Sequence, residues 1–261
     1  ARVLKSEFGL QLGDRVAVLA MNEIEYIFLF LAIQQVCCIM VPVNFRLVAR
    51  EIEHILGDCS PRLLIAQKQF TETIDKISAD AVPSCRLSFE GKDSFLSRLY
   101  DESLSPEPIH EQAEFDAACM ILYTSGTTGN AKGAIITNKM MFWNSINTTL
   151  RLNLSQSDVS LIFAPFFHTG GWNVLTTPLL HRGAKLINLK KFDADRVLTL
   201  CDTEGVTILF GVPTMMDMLY RSPAFNEVSL KTVRYAIVGG EPMPLELIKS
   251  WQKKGVPIRQ G

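Results

Sequence analysis

The segment from Tyr123 to Gly133 contains the side chains best suited to binding phosphate. It reads Tyr-Thr-Ser-Gly-Thr-Thr-Gly-Asn-Ala-Lys-Gly and combines four Ser/Thr hydroxyls, three glycines and one lysine. Glycines let a backbone turn tightly and bring its N–H groups close to a ligand, hydroxyls donate hydrogen bonds, and Lys132 supplies a positive point charge. Because hydrogen bonds to charged groups contribute about 1.5–3 kcal/mol each, this composition favours a polyphosphate ligand.

Two other interpretations of the segment agree less well with its residues. A Walker P-loop requires Gly-Lys-Ser/Thr followed by a helix, whereas Ala131 precedes Lys132, Gly133 follows it, and the next residues predict a strand. A hairpin turn rich in Gly, Ser and Thr is the second alternative, but an ordinary turn rarely needs so many hydroxyls beside a lysine. A phosphate loop of another kind is therefore favoured.

The segment resembles the phosphate-binding loop of the adenylate-forming superfamily, which includes acyl-CoA synthetases, luciferases and the adenylation domains of peptide synthetases. That family has Tyr/Phe-Thr-Ser-Gly-Thr-Thr-Gly-x-Pro-Lys-Gly, and this chain departs from it at Ala131, where Pro is usual. The change loosens the backbone but removes no phosphate ligand. Five further segments resemble family motifs in the expected order: Gly13-Asp14-Arg15-Val16-Ala17, Val41-Pro42-Val43-Asn44, Pro165-Phe166-Phe167-His168, Gly211-Val212-Pro213-Thr214 and Gly239-Gly240-Glu241-Pro242. The resemblance covers essentially the whole chain.

The resemblance implies two groups of nucleotide-binding residues. They are Thr124, Ser125, Gly126, Thr127, Thr128, Gly129 and Lys132 in the loop, and Gly239, Gly240, Glu241, Pro242, Gln260 and Gly261 near the end of the chain. The loop and Lys132 are expected to hold the β- and γ-phosphates of ATP as pyrophosphate departs, which makes Lys132 a candidate catalytic residue. The turn at 239–242 is expected to line the adenine and part of the acyl pocket, with a plain turn at a strand end as the alternative.

Three residues are expected at the substrate by the same resemblance. His168 would lie near the carboxylate of the acid and orient it. The alternative is a histidine at the start of a helix whose ring forms hydrogen bonds with backbone groups. Trp172 matches the tryptophan that gates the fatty-acid tunnel in fatty acyl-CoA synthetases, and the alternative is a core tryptophan, since large aromatic residues are usually buried. Thr214 belongs to the segment 210–220, which would form a wall of the acyl pocket, although its methionines are more often core residues.

The activity that the resemblance implies is ATP-dependent activation of a carboxylic acid, most simply a medium- or long-chain fatty acid. An acyl-adenylate forms, and the acyl group then passes to coenzyme A; ATP, Mg²⁺ and coenzyme A are the expected cofactor and co-substrates. The alternatives are an aryl-acid CoA ligase, an amino-acid adenylation domain and a non-catalytic nucleotide-binding module. An amino-acid substrate would favour an Asp after the Phe-His segment, and the residues there are 169–172, Thr-Gly-Gly-Trp.

The absence of an initiator Met, and ends that lie beside patterned sequence, predict a piece of a longer chain. In the family the magnesium-binding Glu, the ribose-binding Asp, the hinge and the catalytic lysine of the C-terminal lid would all follow Gly261. The piece alone is therefore expected to be nearly inactive.

Short apolar runs alternate with helical patterns along the chain, which predicts mainly parallel sheets covered by helices. Strands are predicted at 15–20, 37–43, 62–66, 85–89, 117–124, 134–137, 159–164, 184–189, 206–210, 233–238 and 256–259. Helices are predicted at 23–35, 50–56, 138–150, 194–204, 214–220 and 245–254. Asn22 and Asn138 are the predicted N-caps of the first and third of these helices, and Gly57 is predicted to end the second. The acidic, Pro-containing segment 102–116 predicts an exposed connector.

The expected fold is two face-packed αβ subdomains without the β-barrel and lid of the family. Subdomain 1–152 carries the loop 123–133, and the incomplete subdomain 153–261 forms the adenine and acyl side. The second would have exposed sheet edges, which makes a homodimer possible. The largely apolar stretch Ile24 to Val43 has the length of a membrane span, but Glu25, Gln34 and its change of pattern favour a buried helix followed by a strand.

The composition of the 261 residues excludes several classes of protein. With 48% apolar and 20% charged residues the chain can bury a core, which excludes general disorder, and collagen and coiled-coil classes are also excluded. The formal net charge of −1 argues against nucleic-acid binding through phosphate contacts. The six cysteines form no Cys-x-x-Cys pair and predict free thiols in a reducing compartment, the cytoplasm.

Overall fold

A computed structural model describes residues 1–101, 103, 112–124 and 130–261 of the chain. The described residues divide into two compact units: Ala1–Phe142 with Phe166–His168, and Trp143–Pro165 with Thr169–Gly261. We call these the first and the second unit. Five of the predicted phosphate ligands lie outside the described residues: Ser125, Gly126, Thr127, Thr128 and Gly129. Most of the predicted connector 102–116 lies outside them as well.

The first unit is built on a sheet whose described strands follow the order β4-β3-β1-β2-β5-β6. These strands are β1 Arg15–Leu19, β2 Ile39–Pro42, β3 Leu63–Ala66, β4 Cys85–Ser88, β5 Ala118–Thr124 and β6 Lys132–Thr137. All neighbours pair in parallel except β5 and β6, which form an antiparallel hairpin. The central strands are continuously apolar because both faces of a parallel sheet are covered, and Val16–Leu19 is fully buried.

Helices precede, connect and follow the strands of this sheet along the chain. They are α1 Arg2–Ser6, α2 Ile24–Gln35, α3 Ala49–Cys59, α4 Thr71–Ile74, α5 Phe95–Leu99 and α6 Asn138–Leu152, which passes from the first unit into the second. The apolar stretch 24–43 is a helix of 12 residues followed by β2. None of the helices in the described part of the chain has the length and hydropathy that a bilayer span requires.

The second unit has a sheet whose strands are all parallel, in the order β11-β10-β9-β7-β8. Its strands are β7 Val159–Ile162, β8 Lys185–Asn188, β9 Ile208–Gly211, β10 Tyr235–Val238 and β11 Ile258–Gln260. Its helices are α7 Thr176–Arg182, α8 Ala194–Thr203, α9 Pro213–Arg221, α10 Ala224–Glu227 and α11 Leu245–Lys253. Trp251 and Met216 are fully buried in the core between α9, α11 and the sheet.

The prediction of mainly parallel α/β sheets is confirmed, and no closed barrel occurs in the described residues. The predicted strands all occur, with ends within two residues of those expected. The sequence patterns missed the short helices α1, α4, α5, α7 and α10, a 3₁₀ turn at Lys68–Phe70 and a π-helical turn at Gly170–Val174. Such short elements depend on packing more than on periodicity.

Three predicted helix boundaries are wrong, each for a tertiary reason. Gly57 does not end α3, which continues to Cys59 and stops at Ser60 with φ +43°; burial of Cys59 offsets the roughly 1 kcal/mol cost of a helical glycine. Asn22 does not cap α2, whose N-cap is Glu23. The side-chain amide oxygen of Asn22 instead accepts a hydrogen bond from the backbone N–H of Phe166. Asn138 does not cap α6 but is its first residue. The capping hydrogen bond is made by the preceding Thr137, whose hydroxyl accepts from Met140 N–H.

Candidate functional site

The hairpin of β5 and β6 fixes the described residues on both sides of the predicted phosphate loop. Tyr123 pairs with Gly133, and Thr124 pairs with Lys132. Because side chains alternate along a strand, Thr124 and Lys132 share one face of the hairpin and the Tyr123 ring lies on the other. That ring covers Gly133, since a Cβ added there would lie 3.1 Å from Tyr123 Cζ. The hairpin therefore presents Lys132 and Thr124 together, both exposed to solvent.

A cavity of about 790 Å³ lies beside this hairpin within the first unit. Its walls include Thr124 and Asn130 from the hairpin, Arg50 and His54 from α3, and His168. The volume is in the range of small-molecule sites. The Arg50 side chain gives one wall a positive charge, which suits an anionic ligand.

The segment that carries His168 is anchored to the first unit by Asn22 and Tyr26. Phe166 is buried, its N–H donates to Asn22 Oδ1 at 3.1 Å, and its ring centroid lies 5.2 Å from that of Tyr26. Burial of an aromatic ring together with a backbone hydrogen bond fixes the segment in place. His168 is therefore held at the cavity by residues far earlier in the chain.

The surroundings of His168 set its protonation. Its ring lies 4.8 Å from that of Phe167, which packs edge-on against Phe45 at 5.1 Å, and the Arg46 guanidinium lies 5.8 Å from the Phe167 centroid. Partial desolvation, reinforced by the positive charge of Arg46, lowers the pKa of His168 below its usual 6.5. The imidazole is therefore mostly neutral at pH 7 and can donate one hydrogen bond while it accepts another.

Sequence reasoning missed four residues that the structure places at or behind this cavity: Asn22, Arg46, Arg50 and His54. Arg50 and His54 lie one turn apart on α3, and this i, i+4 spacing on an amphipathic helix was the available signal. Asn22 and Arg46 gave no local signal, because their partners Phe166 and Phe167 lie more than a hundred residues away.

In the second unit, the predicted adenine-side residues gather at the C-terminal ends of β9, β10 and β11. Gly261 N–H donates to Val238 O at 2.9 Å, and Gln260 Oε1 accepts from Met243 N–H at 3.1 Å. The turn from Gly239 to Pro242 follows β10, and Gly240 has φ +91°, which favours glycine. Ligands of open parallel sheets bind at such strand ends.

A second cavity of about 730 Å³ lies between α9 and α11 in the same unit. Its walls include three predicted site residues, Thr214, Glu241 and Pro242. Of the nearby methionines, Met216 is a core residue and Met218 is 53% exposed on this wall. The structure thus brings Thr214 to the same cavity as the turn after β10, and a role of this cavity in binding the acyl group stays a prediction.

Trp172 is fully buried in the π-helical turn of the second unit. The backbone there is crowded, since a Cβ on Gly171 would lie 2.3 Å from Pro165 O. Thr176 and Thr177 donate hydrogen bonds to the carbonyls of Gly171 and Trp172 at 2.6 and 3.2 Å. The turn is therefore rigid, and a role of Trp172 at an acyl tunnel stays a prediction.

Within the described part of the chain, no group of three or more His, Cys, Asp or Glu side chains could hold a metal ion. Glu51, which lines the first-unit cavity, uses its carboxylate to accept from Val48 N–H at 3.0 Å. We therefore assign no Mg²⁺ ligand among the described residues.

The model of the family described as AMP-binding enzyme matches residues 1–261. The chain belongs to this family. The predicted resemblance to the adenylate-forming superfamily is thereby confirmed. Relatives of this AMP-binding chain include the feruloyl-CoA synthase of an Amycolatopsis species, 31% identical over 97% of the chain and 49% of the relative. Another is the long-chain-fatty-acid–CoA ligase FadD13 of Mycobacterium tuberculosis, 34% identical over 97% of the chain and 50% of the relative.

A solved structure agrees with this membership. The inhibitor-bound N-terminal domain of FACL13 from Mycobacterium tuberculosis superposes with a TM-score of 0.90 at 31% identity, over 99% of this chain and 64% of that one. The AMP-binding chain spans about half the length of the curated relatives it matches. Both curated relatives are named as enzymes that form CoA thioesters.

Proposed function

We propose that the protein containing this chain joins a carboxylic acid to coenzyme A through an acyl-adenylate. The observation that carries the proposal is the first-unit cavity, whose walls bring together Thr124, Arg50 and His168 from separate elements of one AMP-binding family member. Lys132 pairs with Thr124 across the hairpin beside it. An oxygen of the carboxylate attacks the α-phosphorus of ATP, the bond to the bridging oxygen breaks, and pyrophosphate leaves. The thiol of coenzyme A then attacks the acyl carbon and releases AMP.

The hairpin would hold the polyphosphate during the first step. Negative charge grows on the bridging oxygen as pyrophosphate departs, and fixed positive groups stabilise it without reorganisation. Lys132 supplies that charge, and Thr124 donates a hydroxyl from the same face. Arg50 adds a second cation from α3. The loop residues 125–129 are proposed as further phosphate ligands on the strength of the motif.

His168 would orient the acid. A neutral imidazole donates a hydrogen bond to a carboxylate oxygen without pairing with it as a permanent ion, so the carboxylate stays free to attack. The lowered pKa of His168 favours that neutral form. We assign the turn Gly239–Pro242, with Gln260 and Gly261, to the adenine, because they gather at the ligand-binding edge of the second-unit sheet.

A medium- or long-chain fatty acid is the proposed substrate, with Thr214 and Trp172 at the acyl group. The similarity to FadD13, at 34% identity, and the apolar wall at Met218 support this choice. An aryl acid is the second candidate, because the feruloyl-CoA synthase is 31% identical. We expect residues 1–261 by themselves to be nearly inactive, because they span about half of their relatives.

Acid-dependent exchange of labelled pyrophosphate into ATP tests the proposal in the full-length protein. Exchange with fatty acids of medium or long chain supports the preferred substrate, and exchange with ferulate-like acids supports the second. Formation of the CoA thioester, followed by mass spectrometry, tests the second step. A folded protein that binds ATP but exchanges pyrophosphate with no fatty, aryl or amino acid would refute the proposed function.

A further inference from the structure

We infer that His54 and Asp58 of α3 are positioning residues that hold the hairpin on both sides of the phosphate loop and thereby place Lys132. The inference rests on the proposed function, since it assumes that Lys132 acts on the polyphosphate. Neither residue belongs to the motifs that carry the family resemblance. Both contacts lie within the first unit.

His54 holds the side of the hairpin that leads into Lys132. Its Nε2 lies 3.1 Å from the carbonyl oxygen of Ala131. A carbonyl oxygen can only accept, so Nε2 carries the proton in this contact. The acceptor belongs to the peptide unit that joins Ala131 to Lys132, and a peptide unit is planar. The hydrogen bond therefore fixes the plane from which the Lys132 side chain starts.

Asp58 holds the opposite side of the hairpin. The Tyr123 hydroxyl donates a short hydrogen bond to Asp58 Oδ2, and the Tyr123 ring covers Gly133 on the neighbouring strand. Burial, followed by this hydrogen bond to the carboxylate, raises the pKa of Tyr123, so its hydroxyl remains a donor at any physiological pH. The Tyr123 side chain thus connects Asp58 with both strands of the hairpin, at the residue pair next to Thr124 and Lys132.

The two contacts come from one face of one helix. Residues four apart lie on the same side of a helix, one turn above the other. The opposite side of α3 is anchored in the core of the unit by Ile52, Ile55 and Leu56, which are each 1% exposed. Tyr123 and Ala131 pack against the same core cluster. Helix α3 is therefore a rigid support for the hairpin, not a mobile surface helix.

The identity of residue 131 gives the His54 contact a specific purpose. The family motif usually has Pro at this position, which fixes φ near −65°, whereas alanine leaves φ free. The hydrogen bond from His54 restrains the alanine peptide on its carbonyl side. A proline at 131 would therefore make the His54 contact less necessary.

Kinetics of the full-length protein test the inference through ATP and AMP. AMP lacks the β- and γ-phosphates, so its affinity does not depend on where Lys132 points. We expect His54→Leu and Tyr123→Phe each to raise the KM for ATP by about 3–10-fold, the range that loss of one hydrogen bond gives. The dissociation constant for AMP and the KM for the acid are expected to stay within about twofold, on the same reasoning.

Three further variants make the test specific. His54→Gln places an amide N–H near the position of Nε2 and is expected to restore the KM for ATP. The double variant His54→Leu/Ala131→Pro is expected to recover most of the loss. Glu53→Gln is the matched control on α3: its carboxylate accepts from Ser78 Oγ, away from the hairpin, and it is expected to change neither constant.

The outcomes separate this inference from the proposed function. An unchanged KM for ATP in His54→Leu and Tyr123→Phe, with active wild type, would overturn the inference alone. Equal weakening of ATP and AMP binding, or no rescue by His54→Gln, would mean a general structural role and would also overturn it. A wild type without exchange activity refutes the proposed function, and calorimetric binding of ATP and AMP to the same variants then still decides the inference.

Discussion

Replacing Gly133 by alanine tests how closely the hairpin is packed at the base of the phosphate loop. The added methyl carbon would lie 2.7 Å from Ile121 Cγ2 and 3.1 Å from Tyr123 Cζ. Carbon atoms in contact are normally about 3.5–4.0 Å apart, so the side chains must move by about 1 Å. Ile121 packs against the core cluster under α3, and the Tyr123 hydroxyl is bonded by Asp58, so neither is free to move.

The cost follows from two opposing effects. Inserting a methyl group into a packed region costs about 1–3 kcal/mol, and replacing a strand glycine by alanine returns about 0.5–1 kcal/mol through backbone entropy. The expected net loss is about 1–2 kcal/mol, which corresponds to a fall in Tm of about 2–8 °C for a unit of this size. The displaced Tyr123 ring is expected to lose the hydrogen bond from its hydroxyl to Asp58. We therefore also expect the KM for ATP to rise about 3–10-fold, the range that loss of one hydrogen bond gives.

The assay compares Gly133→Ala with Gly57→Ala in the full-length protein, by thermal unfolding and by ATP–pyrophosphate exchange. Gly57 lies inside α3, and a Cβ added there meets no atom within 4 Å. Alanine is favoured over glycine in a helix by about 1 kcal/mol, so the control is expected to raise Tm and leave the KM for ATP unchanged. If Gly133→Ala matches the wild type in both Tm and KM, the hairpin is not packed as described and the reasoning fails.

Three further predictions concern charge. Burial of Asp158 favours its neutral form, but hydrogen bonds from Thr207, Ser155 N–H and Arg234 outweigh this effect and lower its pKa. The stabilisation by the ionised carboxylate is therefore lost as the pH falls from about 5 through that lowered pKa. Denaturant titrations should show that the free energy of unfolding falls less steeply towards acid pH in Asp158→Asn than in the wild type, and an equally steep fall would contradict this. Lys132→Gln should slow pyrophosphate exchange by about 100-fold or more. Lys139 is the control: its ammonium pairs with Asp116 at 3.2 Å, and Lys139→Gln should leave the exchange rate unchanged. Equal exchange rates in the two variants would show that Lys132 has no part in the mechanism. Arg50→Gln should raise the KM for ATP several-fold at low salt and less at high salt, because salt screens exposed charges, and a salt-independent effect would argue against an electrostatic role.

Much of the fold was predictable because its signals are local. Short apolar runs separated by helical patterns specify a parallel sheet, since such strands are buried on both faces. The prediction of a phosphate loop at 123–133 rests on equally local signals, because a ligand that must approach the backbone requires glycines and hydroxyls in consecutive positions. The helix end at Gly57 could not be read in this way, because burial of Cys59 outweighed the local preference.

Only the tertiary structure determined how the site is supported. Asn22 looked like a helix cap, yet it accepts the N–H of Phe166, 144 residues further along the chain. His54 bonds the carbonyl of Ala131, 77 residues away. Burial lowers the pKa of His168, and the charge of Arg46, which lies more than a hundred residues earlier in the chain, adds to that effect. Sequence patterns report preferences over one or two turns of chain, whereas these contacts exist because the sheet order brings distant segments side by side. The sequence by itself thus determined the fold class and the family, and it predicted the residues that bind a nucleotide. The packing of α3, the hairpin and the Phe166–His168 segment decided how the described ones among them are held.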